Sequence, residues 1–233
     1  MGKTISPASL IEYPEADGQT ISKTDFHFTA IILLVQMLRD FFAQNPQVYV
    51  AGEMNFYYEQ GNPKAVKTLD VFVVKGVLKH KRRFFKRWEE QAVPNIIVEI
   101  ISKPINQTDL SAKFVLYDRL GVREYFLFDP LGEHLKPRLR GYSLEEGRYQ
   151  PISLSPQGTL LSLELGLILF PQGDILRLID ITTGELLPTS LETHAKIQQT
   201  QLEIQQTQQE LKSAQAKIIQ LQLELEQLRY INR

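Results

Sequence analysis

No cysteine occurs among the 233 residues of the chain, which excludes disulfide scaffolds, cysteine-ligated zinc sites and thiol nucleophiles together. Nor is there a surplus of either charge. Lys and Arg number 26 against 27 Asp and Glu, a net charge of −1, so any contact with nucleic acid must come from a local patch. The N-terminus lacks a basic stretch followed by an apolar run, and the greasiest segment, Phe28 to Val35, is too short to span a bilayer. A soluble, cytoplasmic protein with no membrane contact is expected. Walker loops, Gly-x-Gly-x-x-Gly and Gly-x-Ser-x-Gly motifs are absent. The four histidines, His27, His80, His134 and His194, show no metal-ligand spacing and read as structural or exposed. Residues 189–233 contain neither Gly nor Pro, so all 13 Gly and 12 Pro fall in residues 1–188. That contrast divides the chain into a globular domain, 1–188, large enough to bury a core, and a tail, 189–233.

The globular part begins with an irregular stretch, 1–21. A long helix then runs from a cap at Ser22 or Thr24 to about Gln44, with Phe28, Ile31, Ile32, Val35, Leu38 and Phe42 on its core face. Short strands are predicted over 48–51 and 54–58. Continuous β-branched and aromatic runs predict buried strands over 71–74, 96–101 and 124–128. Helices are predicted over 84–90 and over 108–120, the latter ended by Gly121. Further strand-like segments cover 139–144, 147–152, 160–170 and 175–181. Helices alternating with buried strands define an α/β class with a mixed sheet.

In the tail, Ile197, Ile204, Leu211, Ile218 and Leu225 recur every seven residues. Thr200, Thr207, Ala214, Leu221 and Leu228 follow three places after each. This a/d heptad pattern predicts a coiled-coil helix, firm in its second half and soft in its first; the alternative is a solvated, Gln-rich helix or a disordered tail. An apolar seam of this kind favours a homodimer.

Acids that interrupt apolar strands carry the chemical signal. Asp70 opens Val71-Phe72-Val73-Val74, and Glu99 sits within Ile96-Ile97-Val98-Glu99-Ile100-Ile101. A carboxylate on a buried strand is costly unless paired or bound to a cation. Two of them on neighbouring strands could hold one divalent ion, or each could cap a strand edge. Glu53 is a third acid candidate. Asp109 and Lys113 stand four apart on the helix after the Glu99 strand, either as a surface pair or with Lys113 reaching back to the carboxylates to position water and offset phosphate charge. Six of the nine residues 79–87 are basic: Lys79, Lys81, Arg82, Arg83, Lys86 and Arg87. They form a phosphate-binding face, or solvated charges opposite packed Phe84, Phe85 and Trp88.

The ordered set Thr68-Leu69-Asp70-Val71-Phe72-Val73-Val74, Pro94-Asn95-Ile96-Ile97-Val98-Glu99-Ile100-Ile101-Ser102, then Asp109, Lys113 and Tyr117, then Gly121 to Pro130, resembles the family of putative restriction endonucleases abundant in cyanobacteria, within the PD-(D/E)XK superfamily. The resemblance spans roughly residues 22–188, judged by motif order. It implies a restriction-endonuclease-like mixed sheet flanked by helices and a metal-dependent endonuclease of DNA. It also implies Mg²⁺ (or Mn²⁺) on Asp70 and Glu99, with Lys113 completing the catalytic set. Leu69 replaces the motif proline, and Ile101 replaces the motif lysine. Lys113 is the natural substitute for the latter. The competing expectation is a catalytically degenerate nuclease fold kept for nucleic-acid binding or for assembly through its coiled coil.

Overall fold

The structure is a computed structural model describing residues 24–231, so the irregular segment expected over 1–21 and the alternative cap Ser22 lie outside the described residues. The chain divides into two units, Met1–Leu187 and Pro188–Arg233. In the first, helix α1 (Asp25–Phe41) is followed by strands β1 (Val48–Tyr57), β2 (Val66–Lys75) and β3 (Phe85–Lys86) and a single turn, α2 (Arg87–Glu90). Strand β4 (Ile96–Ile100), helix α3 (Gln107–Leu120) and strand β5 (Glu124–Phe128) form a parallel crossover. Strands β6 (Leu139–Glu145) and β7 (Arg148–Pro151) extend the sheet, and β8 (Leu160–Ser162), β9 (Leu167–Gln172) and β10 (Ile175–Asp180) form a second one.

The main sheet is seven-stranded and mixed, ordered β3-β1-β2-β4-β5-β6-β7, which realises the α/β class expected. Its centre is β2, β4 and β5, whose apolar runs over 71–74, 96–98 and 125–128 are buried on both faces. One face packs α1 and the three-stranded sheet through Ile31, Leu34, Leu38, Val71, Val98, Phe126, Leu167 and Leu178. The other packs α3 through Leu116, Tyr117 and Leu120 against Phe72, Ile97, Tyr125 and Leu127.

Local corrections follow from packing. Helix α1 starts at the Thr24 cap, and its buried stripe is His27, Ile31, Leu34 and Leu38; Phe28 and Ile32, expected on the core, are exposed. The two short strands over 48–58 are one strand, irregular at Glu53, whose φ is 51°. The helix predicted over 84–90 is not formed as such: Phe85 is fully buried in β3, pairing in parallel with Phe56 of β1, and only Arg87–Glu90 is helical. Burial of Phe85 against Tyr49, Phe56 and Phe72 overrides the helical spacing of the sequence. Asn106, two residues before the expected Thr108, caps α3 by accepting from the N–H groups of Thr108 and Asp109. Gly121 ends that helix in the left-handed conformation, φ 84°. The strand expected over 160–170 is split into β8 and β9 by a turn.

After β5, Asp129 organises the loop that turns the chain back into β6. Its buried carboxylate accepts four backbone N–H groups, from Leu131, Gly132, His134 and Leu135, at 2.6–3.1 Å. Burial pushes this carboxyl up, but the four donors together hold it below the usual carboxylate range. Asp129→Ala is therefore expected to cost on the order of 3 kcal/mol in urea denaturation at neutral pH. Because the folded-state value is depressed, the stabilisation is present above the unfolded pKa of about 4 and is lost as pH falls through the folded one. The gap between variant and wild type should narrow below that point.

The second unit is helix α4 (Ser190–Ile231), 42 residues long. Thr189 and Glu192 cap it reciprocally: the Glu192 carboxylate accepts from Thr189 N at 2.7 Å, and Thr189 Oγ1 accepts from Glu192 N at 3.3 Å. Its a-position residues Ile197 to Leu225 are exposed along the single chain. Among the described residues, no helix is long and apolar enough to cross a membrane.

Candidate active site

The ladder between β2 and β4 runs from Val73↔Ile96 to Val71↔Val98 and stops there. Continued by one pair, the same register sets Asp70 across from Glu99. Instead of a backbone pair, the Asp70 carboxylate takes the next β4 donor, accepting from Ile100 N at 2.8 Å. A side chain that caps a ladder in this way ends the pairing and keeps the two strands apart at that end. On the other flank, Gly52↔Val71 and Met54↔Leu69 set Glu53 across from Asp70. Both strands shift their in–out alternation by one residue at this point. Tyr49 and Ala51 before it and Phe56 after it share one face of β1, as do Leu69 before and Phe72 and Val74 after on β2. A Cβ at Gly52 would lie 2.7 Å from the Asp70 carbonyl oxygen and 2.8 Å from Val35 Cγ2, so only glycine lets β1 come this close to β2 and α1.

Glu99 is buried, 6% exposed, and each of its oxygens has a donor from α3. Lys113 Nζ lies 2.8 Å from Oε2, and the Tyr117 hydroxyl donates to Oε1 at 3.2 Å. Burial, reinforced by Asp70, raises the Glu99 carboxyl above its ordinary value, against the pull of Lys113 and Tyr117. Burial pulls Lys113 down, but the Glu99 carboxylate more than offsets this, so the ammonium is retained. Tyr117 is pushed well up by burial and by Glu99 and stays a donor. Asp109 Oδ2 stands 3.9 Å from Lys113 Nζ, so the surface pair exists and is the looser of the lysine's two contacts. The position of Lys113 is fixed by its neighbour: Phe114 packs edge-on against Tyr125, Tyr142 and Tyr149 at 4.5–5.6 Å.

His27, one of the four histidines read as structural or exposed, is buried against the acids of the sheet. It sits in the first turn of α1, and its Nε2 lies 3.5 Å from Asp70 Oδ2. His27, Glu53 and Asp70 each offer a ligand atom within 4.8 Å of the others, the one such group among the described residues. Its signal in the sequence was its place on the i, i+4, i+7 stripe with Ile31 and Leu34, where an apolar residue belongs.

Lys79, Arg82 and Lys86, three of the six basic residues of the run, are held by contacts within the chain. Arg82 grips Glu90 with two bonds of 2.6 and 2.7 Å and lies over the Tyr49 ring at 4.3 Å. Lys79 donates to the carbonyls of Phe42 and Ala43 beyond α1, and Lys86 pairs with Glu89 at 2.9 Å. Lys81, Arg83 and Arg87 are exposed.

A mixed sheet with carboxylates at register-opposed positions 70 and 99 of its central strands, and the Lys113 ammonium held 2.8 Å from one of them by the crossover helix, is suited to hydrolysis at phosphorus. The family model Uma2, described as "Putative restriction endonuclease", matches residues 6–170, and the chain belongs to that family. The match includes Asp70, Glu99 and Lys113 and stops before the tail. Among solved structures, a putative nuclease belonging to DUF820 from Anabaena variabilis is similar at 12% identity, covering 61% of this chain and 75% of that one, with a TM-score of 0.45. No curated protein matches the chain.

Proposed function

We propose that the chain is a divalent-cation-dependent endonuclease that hydrolyses DNA phosphodiester bonds. The observation that carries this reading is the 2.8 Å contact between Lys113 Nζ and Glu99, which sets an acid pair and a lysine together although Ile101 fills the motif's lysine position. Asp70 and Glu99 would hold Mg²⁺ or Mn²⁺, with Glu53 as a further oxygen donor; each carboxylate oxygen engaged by a hydrogen bond retains a second lone pair. When bound, the cation polarises a phosphoryl oxygen and lowers the pKa of water. Lys113 orients the attacking water and offsets charge developing on the phosphate, while Tyr117 fixes the Glu99 carboxylate. Among the basic residues, the exposed Lys81, Arg83 and Arg87 supply the backbone contacts, with Lys79, Arg82 and Lys86 shaping the segment that presents them. The tail joins two copies as a parallel homodimer.

Cation binding tests the assignment. Facing carboxylates repel, so a hundredfold excess of Mg²⁺ or Mn²⁺ over Kd should raise the wild-type Tm by about 5–10 °C. Asp70→Asn keeps an oxygen for the Ile100 N–H and should fold, yet lose that shift. An unchanged shift in the variant would move the cation elsewhere and sink the assignment.

A further inference from the structure

We propose that His27 Nε2 is a ligand of the cation, joining Glu53 and Asp70 in a mixed nitrogen–oxygen site that selects Mn²⁺, or another first-row transition ion, over Mg²⁺. The inference rests on the cation-dependent reading above and goes beyond it by naming the ligand and the selectivity.

Placement comes first. Ligands about 2.0–2.2 Å from a common ion stand roughly 3–4 Å apart. The 3.5 Å between His27 Nε2 and Asp70 Oδ2 falls in that range, and the group's 4.8 Å limit needs only a small closure. The imidazole is held on a rigid element: α1 is capped by Thr24, whose Oγ1 accepts from His27 N at 3.3 Å, and packed by Ile31 and Leu34 one and two turns on.

Burial is the second argument. The His27 side chain is 6% exposed, and its Nδ1 is buried with no hydrogen-bond partner among the described residues. A polar ring removed from water without full compensation is costly, and the stripe it occupies is otherwise apolar. Nδ1 has no described partner while Nε2 faces the Asp70 carboxylate 3.5 Å away, so a cation between ring and carboxylate would take the Nε2 lone pair with the proton carried on Nδ1.

The third argument is backbone strain at the partner ligand. Glu53 adopts φ 51°, a conformation that costs a residue with a side chain roughly 1 kcal/mol or more. The strain falls at the place where the alternation of β1 shifts by one residue, and a Glu53 carboxylate oxygen lies in the group with His27 and Asp70. Ligand chemistry then sets the selectivity. Mg²⁺ is a hard ion that prefers oxygen and keeps its waters, whereas imidazole suits first-row transition ions.

The full-length protein loaded with Mn²⁺ provides the test. Three-pulse electron spin-echo envelope modulation should show coupling to a directly bound ¹⁴N, which becomes ¹⁵N coupling when histidine is isotopically labelled. Calorimetry should give Mn²⁺ at least tenfold tighter binding than Mg²⁺. In His27→Gln the nitrogen coupling should vanish and the preference collapse, chiefly through weaker Mn²⁺ binding. Mn²⁺ bound to wild type without nitrogen coupling would overturn the proposal even if His27→Gln did not fold, and would leave the nuclease reading standing. Failure of wild type to bind either ion would overturn both.

Discussion

Lys113→Ala is expected to lower plasmid nicking by about 10²–10⁴-fold while leaving cation affinity, measured by calorimetry, unchanged or slightly tighter. Lysine donates to Glu99 and is not a ligand, so its loss removes the oriented donor without removing a binding oxygen. The variant also leaves Glu99 buried with Tyr117 as its remaining α3 donor, and a modest drop in Tm should accompany the loss of cleavage. A second substitution separates catalysis from stability. Position 101 follows Glu99 by two residues, and Ile101 packs with the α3-facing cluster that contains Ile97, so its side chain shares a face with Glu99. Ile101→Lys in the Lys113→Ala background should restore part of the nicking, limited by the charge placed where an apolar side chain packed. Wild-type activity in Lys113→Ala would eliminate the role assigned to the lysine. Absence of cleavage by the wild-type protein would favour a nuclease fold that no longer catalyses.

Removal of residues 189–233 is expected to convert a dimer, with a mass about twice 26.8 kDa, into a monomer by light scattering. The exposed a-position residues of α4 form a seam that one helix cannot bury. Ile218 at a with Leu221 and Leu228 at d favours two parallel strands, each Ile or Leu contributing roughly 1.5–3 kcal/mol on burial. Thr200 and Thr207 at d make the first half weaker; Thr207 Oγ1 donates back to the Glu203 carbonyl at 2.9 Å. Ile218→Glu with Leu225→Glu should therefore dissociate the full-length chain as well. Because the chain has no cysteine, Ile197→Cys reports direction directly: it cross-links on oxidation only if the strands are parallel and in register. A truncated protein that kept the full-length oligomeric state would remove the tail from assembly.

The legible parts of the fold were those where one physical signal dominates. Strands β4 and β5 carry apolar runs that admit only a sheet buried on both faces, and Asp70 and Glu99 stood out as acids interrupting such runs. Gly121 ended α3 because a glycine after a helical stretch readily takes positive φ. Residues 84–90 misled because Phe84, Phe85 and Trp88 have helical spacing, while their environment is set by β1, about thirty residues earlier in the chain. The same distance problem hid the basic run's fate: Arg82 is claimed by Glu90 and Tyr49, partners that no local pattern announces. Phe28 and Ile32 were expected on the core because hydrophobicity alone cannot fix the rotation of a helix that is apolar most of the way round. His27 was hidden for the same reason, since one histidine has no spacing of its own. Glu53 could be named as a third acid, but its conformation could not be read, because nothing in a glutamate's neighbours announces a left-handed backbone.

Strand and helix meet over Glu99 in a way that bears on descent. Position 101 on the chain leaving β4 and position 113 on α3 approach the same carboxylate from two sides of one crossover, so an ammonium could be supplied from either without moving the backbone. A lineage could carry lysine at both positions for a time, each masking loss of the other, and then drop the one on the strand. Relocation of the group would then be two ordinary point substitutions separated by a functional intermediate, with no interval of inactivity for selection to remove.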